Sequence, residues 1–188
     1  SHIRELWDAR HLPIRIKILP EGTLVPYGVP LLTIVNTDPK FFWLTNFLET
    51  LISNMLWMPI TSATTAYSYR KLLKSYILDT DKDNLEFLDF QAHNFGMRGM
   101  SGLDATIYSG LGHATSFKGD DSLPTIYAAR KFYKERSAPI VHSVNATEHS
   151  VMCAGGAEEG QELATFRYLM EQFPTGVLSI VSDTWHLW

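Results

Sequence analysis

Leu85-Glu86-Phe87-Leu88-Asp89-Phe90, followed shortly by His93-Asn94-Phe95-Gly96-Met97-Arg98-Gly99, is the stretch on which the reading of this chain turns. The first run has the apolar content of a buried strand, and the second reads as a polar turn at its end. That turn presents an aromatic ring, Phe95, and a guanidinium, Arg98, with Gly96 and Gly99 around them. The ring offers a stacking face and the guanidinium a two-pronged clamp for oxyanions. The glycines let backbone come close to a ligand. A flat ring, a phosphate, or a nucleotide precursor carrying both would suit such a pair. Glycine-bearing turns after strands are also common without any ligand, so spacing alone leaves both readings open.

Downstream of Asn84, strands and helices alternate, which predicts an α/β unit with parallel strands. Leu85–Phe90 is the first expected strand and Met100–Tyr108 the first helix. A short strand is expected at Ala114–Phe117, and Lys118-Gly119-Asp120-Asp121-Ser122 reads as a solvated loop. A helix over Leu123–Tyr133 is expected to turn Leu123, Ile126, Tyr127, Ala129, Phe132 and Tyr133 largely inward. Ile140–Val144 is expected to be extended, Glu158–Phe173 helical, and Val177–Val181 a strand ending at Ser182-Asp183. Thr184–Trp188 reads as the first turn of a further helix.

Upstream, residues 12–37 read as a β-meander. Ile14, Ile16 and Ile18 alternate with Arg15 and Lys17, Thr23–Val25 forms a second short strand, and Leu31–Val35 a third. From Lys40 the period becomes helical. Asp38 or Thr37 can cap a helix that begins at Pro39 and carries Phe42, Leu44, Phe47, Leu48, Leu51 and Ile52 on one face. Pro59 is expected to break or bend it, with a second helix from about Ser62 to Leu78. The aromatic residues here, including Trp43, Trp57, Tyr67 and Tyr69, fall at helical spacing and read as core and interface packing. The expected organisation is therefore residues 1–83 as a β-meander with helices, and residues 84–188 as a βα segment.

Composition excludes several classes. With 188 residues and 45% hydrophobic content the chain can bury a substantial core. A net charge of −4 gives no basic footprint for nucleic acid. Cys153 is the single cysteine, so no internal disulfide and no multi-cysteine zinc site can form. No apolar run reaches the roughly 18 residues of a membrane span, and the N-terminus has no secretory core. A cytoplasmic location is the expectation.

With these residues in view, the chain resembles the nicotinamide phosphoribosyltransferases, in the type II phosphoribosyltransferase family. The matching segments occur in family order. They are His11–Ile14 with Pro20-Glu21-Gly22, Asn36–Pro39 with Trp43–Asn46, and Pro59-Ile60-Thr61 with Ala63-Thr64. His93–Gly99, Phe117-Lys118-Gly119, Glu148-His149-Ser150 and Val181-Ser182-Asp183 follow. The resemblance implies an N-terminal β-rich α+β domain and the first βα units of an incomplete barrel. It also implies a reaction, the joining of nicotinamide to phosphoribosyl pyrophosphate with magnesium on the pyrophosphate, giving nicotinamide mononucleotide and pyrophosphate. By the same resemblance, Phe95 stacks on the pyridine and Arg98 contacts the base site and the phosphate-bearing substrate. Asp183 accepts from the carboxamide N–H₂, and His93 lines the same region. No catalytic residue and no metal ligand is assigned. A homodimer or a complementing chain is expected, because family members are more than twice this long and this portion is expected to be inactive alone.

The sequence departs from the family pattern at Asn94, where aspartate is usual, and at Met97, where tyrosine is frequent. Each site residue also has a plainer reading: Phe95 as core, Arg98 paired with an acid such as Asp104, Asp183 as a helix cap. Glu148-His149-Ser150 resembles a dyad or metal pair, but adjacent residues seldom chelate together, and it reads as support for other groups. Two other functions stay open: a catalytically dead truncated paralogue that binds a partner, and a nicotinate-using relative. Asp183 and Gly99 argue against the latter, since the nicotinate branch tends to carry a second arginine at the Gly99 position.

Overall fold

A computed structural model describes residues 1–155 and 160–187. Ser1 caps a short helix α1 (His2–Ala9), and β1 (Ile14–Ile18) pairs antiparallel with β2 (Leu32–Asn36) in the register Ile14↔Asn36 to Ile18↔Leu32. The expected three-stranded meander is a two-stranded hairpin, because Thr23–Val25 pairs with nothing. Its outer positions stay open, with Ile16 and Ile18 exposed.

The Asp38 carboxylate accepts from Lys40 N–H at 2.9 Å and starts a 3₁₀ turn over Pro39–Phe41, which leads into α2 (Leu44–Thr80). This helix of 37 residues runs through Pro59 without a break, against the expectation of two helices. Proline removes one N–H and crowds the preceding turn, and packing against α3 (Leu103–Ala114) holds the helix together there. A Cβ at Gly112 would lie 2.6 Å from the Pro59 carbonyl oxygen and 2.9 Å from Ala63 N, so only glycine permits this approach. Ser62 Oγ–H seals it by donating to the Ser109 carbonyl at 2.7 Å. The expected apolar face of the first half is mostly in water, since Leu44 is buried while Phe42, Phe47 and Leu51 are exposed.

The decisive run also folds differently from its reading. Residues Lys82–Phe90 form 3₁₀ helix, not strand. Three residues per turn place Leu85 and Leu88 on one side, where they join Ala66, Leu73, Ile77 and Phe117 in a core cluster, while Phe87 points to solvent. The run was apolar enough for a strand, but its burial repeats every third residue.

Three parallel segments follow. β3 (His93–Asn94) pairs with β4 (Gly119–Asp120) in the register His93↔Gly119 and Asn94↔Asp120, and Gly119 bridges His142 on its other side. α3 and α4 (Leu123–Phe132) form the connections. Thus the strand expected at Ala114–Phe117 lies two residues later, inside the expected loop, and Asp120 and Ser122 are buried rather than solvated. Ser116 and Phe117 instead donate their N–H groups to the His113 carbonyl and close α3. α4 buries Thr125, Ala128 and, as expected, Ala129, and Ile126 is half-buried, whereas Leu123, Tyr127, Phe132 and Tyr133, also expected inward, are exposed. The reason is a notch at Gly110: a Cβ there would stand 2.0 Å from Thr125 Oγ. Close helix contact selected the small face over the aromatic one.

β5 (Asn145–Ala146) pairs parallel with β6 (Leu178–Ser179), and α5 (His149–Gly155), which the sequence reading lacked, and α6 (Glu162–Gln172) connect them. Of the helix expected over Glu158–Phe173, residues 158 and 159 lie outside the described residues. Residues 184–187 do not form the expected helical turn. The fold is mixed α/β, and no helix among the described residues is long and apolar enough to cross a membrane.

Asp89 ties these layers together. It takes Arg70 from α2 at 2.7 Å and Lys118 from the approach to β4 at 2.8 Å, and Arg70 also donates to the Ser116 carbonyl. The Lys118 hydrogen bond, followed by that of Arg70, holds the Asp89 carboxyl below the usual carboxylate range despite partial burial. The unfolded chain therefore binds the proton more readily, so the stabilisation is complete above the ordinary carboxylate range and fades as pH falls through the lowered value. Asp89→Asn should cost about 1–2 kcal/mol at neutral pH, after allowing for solvent screening. The loss should shrink in urea titrations near pH 3, where the wild type has also begun to lose the ion pairs.

Candidate functional site

The site begins where β3 and β4 end. Asn94 and Asp120 face each other across the register, and Asn94 Nδ2–H donates to Asp120 Oδ2 at 3.1 Å. Asp120 is buried and also accepts from Thr125 Oγ–H at 3.1 Å and from the Ser122 backbone N–H. A buried carboxylate requires such donors. Asn94 Oδ1 in turn accepts from Gly96 N–H at 2.9 Å and so shapes the 3₁₀ turn Gly96–Gly99 that carries Arg98.

Phe95 leaves β3 with nearly half its surface exposed, 48%, which excludes a core role in this chain. The His93 ring lies against it, with centroids 4.4 Å apart and planes tilted by 33°. His93 Nε2–H donates to Asp121 Oδ1 at 2.8 Å, and Ser143 Oγ–H donates to the same oxygen at 2.7 Å. Asp121 follows β4 directly and donates its backbone N–H to the Asn94 carbonyl at 3.0 Å. The Phe95 ring and the Asp121 carboxylate thereby share one neighbour, the His93 imidazole. Sequence reading missed Asp121 because two adjacent acids look like a solvated turn. No signal in the sequence marked it, because the strand it follows, Gly119–Asp120, lies inside the stretch read as a loop. Lys118, at the start of that stretch, is engaged by Asp89.

Arg98 and Asp183, the other residues named from the resemblance, are held by neighbouring residues of one segment. Arg98 is exposed and pairs with Glu148 at 3.5 Å, not with Asp104. Asp183 caps no helix; its Oδ1 accepts from His149 Nε2–H at 3.0 Å. Hydrogen bonds from Ser150, then the nearby Arg98, hold the Glu148 carboxyl below its ordinary range. Adjacent residues of one segment thus tether Arg98 and Asp183 separately, which gives Glu148-His149-Ser150 its supporting part. Behind Phe95, a cleft of about 440 Å³ opens towards α2, lined by Trp57, Tyr69, His93, Phe95 and His113 among others. Arg98 and Asp183 do not line it. Burial pushes the His113 imidazole down, and its Nε2–H donates to the Gly119 carbonyl at 2.9 Å.

The profile of the nicotinate phosphoribosyltransferase family matches residues 90–188, more than half of the chain, and spans every residue of this site. The chain belongs to that family. Among curated relatives in the same family, a nicotinamide phosphoribosyltransferase from Acinetobacter baylyi is 48% identical over the whole chain. Those from Mycoplasma pneumoniae and Xanthomonas campestris are 39% and 35% identical over 94% of it. The chain spans 37% of the length of each of these phosphoribosyltransferases.

The exchange of donor and acceptor between β3 and β4 can be checked directly. Asn94→Asp should destabilise the chain by about 2 kcal/mol, because two carboxylates then meet at one register position. Adding Asp120→Asn should restore most of that loss in a double-mutant cycle read by denaturant unfolding.

Proposed function

We propose that the protein containing this chain joins nicotinamide to phosphoribosyl pyrophosphate, and that residues 93–98 with Asp121 and Asp183 form one wall of the base site. The observation that carries this reading is the exposed Phe95 ring held against an imidazole that also binds the Asp121 carboxylate, in a chain whose relatives are named nicotinamide phosphoribosyltransferases. In the reaction the pyridine nitrogen forms a bond to the anomeric carbon as the bond from that carbon to the pyrophosphate oxygen breaks. Pyrophosphate leaves with the electron pair, and the ring keeps the positive charge. Such a step is accelerated chiefly by holding the flat base in line and by neutralising the leaving group. Phe95 supplies the stacking face. Arg98, lightly held by an exposed partner, is available to an oxyanion.

Two carboxylates are candidates to accept from the carboxamide N–H₂: Asp183, named from the resemblance, and Asp121, which shares the His93 imidazole with the Phe95 ring. Either would repel nicotinate, since two like charges in a desolvated pocket are costly. Magnesium belongs here with the phosphoribosyl pyrophosphate, as part of the substrate. Mg²⁺ keeps several waters and takes only one or two protein carboxylates besides phosphate oxygens, and the described residues hold no cluster of three or more metal-ligating side chains. The remaining contacts to the phosphates are assigned to the rest of the protein or to a partner copy.

Formation of nicotinamide mononucleotide from the two substrates, followed by chromatography, tests the reading; absence of product from the whole protein would overturn it. In that assay Phe95→Ala should raise the nicotinamide KM by tenfold or more and leave the phosphoribosyl pyrophosphate KM within about threefold. Asp121→Asn and Asp183→Asn separate the two carboxylates. The variant that narrows the preference for nicotinamide over nicotinate by about tenfold or more identifies the residue that reads the amide.

A further inference from the structure

We propose that His93 is a positioning residue that fixes the stacking ring and the neighbouring carboxylate through a single imidazole, and that position 119 is kept free of a side chain to seat it. The inference rests on the base-site reading above and adds how that site is held.

The imidazole has three neighbours and is nine-tenths buried, with its side chain 10% exposed. One is the Phe95 ring at 4.4 Å. At one ring atom, Nε2–H meets Asp121 Oδ1; a carboxylate only accepts, so this nitrogen carries the proton. At the other, Nδ1 is buried without a partner and turns towards Gly119, where a Cβ would stand 2.6 Å away. Any side chain at 119 would therefore push the ring out of its seat. Backbone pairing of His93 with Gly119 fixes the distance, so neither strand can yield without losing the register.

Two consequences follow for a bound base. Phe95 cannot swing towards the strand side, because the imidazole fills that space, so its stacking plane is set before ligand arrives. Asp121 Oδ1 is occupied by His93 and Ser143, which leaves Oδ2 as the acceptor for a ligand N–H. Preorganisation of this kind removes the ordering cost that a mobile ring and carboxylate would impose on binding.

The test uses the whole protein and two readouts. His93→Phe keeps a ring against Phe95 and removes the Asp121 donor. It should raise the nicotinamide KM about tenfold, with the phosphoribosyl pyrophosphate KM within twofold. His93→Gln, which restores an N–H donor, should recover most of that loss. Gly119→Ala should raise the nicotinamide KM at least as much as His93→Phe. Equal rises in both KM values, or no rise, would overturn the proposal. The second readout needs no substrate: ¹⁵N NMR should show the His93 Nε2–H tautomer, and Gly119→Ala should remove the Phe95 ring-current shift on the His93 carbon-bound protons. An Nδ1–H tautomer, or a shift unchanged in Gly119→Ala, would overturn the seating even if the protein proved not to use nicotinamide.

Discussion

Four residues, His93 and Asn94 on one strand and Gly119 and Asp120 on the other, hold the site in place through a parallel pairing only two positions long. Such a short ladder is weak by itself, and its neighbours make it rigid. The Asp120 N–H reaches the His142 carbonyl, His142 N–H returns to the Lys118 carbonyl, and Asp121 N–H bonds the Asn94 carbonyl. Around this strip the side chains repeat the register: imidazole over glycine, amide against carboxylate. A slip of one position would send each to the opposite face and would separate the Phe95 ring from Asp121.

The two halves of the site are anchored differently. The ring and Asp121 depend on buried strand pairing and on a nearly buried imidazole, so they are rigid. Arg98 depends on an exposed ion pair with Glu148, and Asp183 on an exposed hydrogen bond from His149, consecutive residues of a separate parallel unit. Exposed pairs contribute little stability, and they are easily exchanged for ligand contacts. One half of the site is a fixed surface, whereas the other consists of charged side chains that can be drawn away from their partners.

Much of this was legible in the sequence, and the failures share a cause. The mixed α/β character after Asn84 was readable, as were the cap at Asp38 and the helix over Leu123–Phe132; Phe95 and Arg98 do follow a strand, but it is His93–Asn94 and not the expected Leu85–Phe90. What failed was decided by close contact between elements. Gly112 let α3 lean on Pro59 and kept α2 whole, and Gly110 admitted Thr125 and turned the aromatic side of α4 outward. Leu85–Phe90 had strand composition, but its neighbours Leu73 and Ile77 lie on a helix and reward burial at every third residue. Asp121 escaped notice because a pair of acids carries no mark of which one is buried and which one faces a ring. Glycines were the informative residues throughout, as points of contact more than as turns.

The unbroken α2 has a geometric consequence. At 1.5 Å per residue, 37 helical residues extend about 55 Å. A compact body of this chain length has a radius of gyration of about 16 Å, and a sphere of that size is only some 40 Å across. The helix is therefore longer than such a sphere is wide, yet it is packed towards both ends, through Leu44 at one and through Leu73 and Ile77 at the other. Phe47 and Leu51, and Tyr76 and Leu78, are exposed beside those packed positions. α2 is a beam gripped at both ends, and the chain around it has to stretch to hold it.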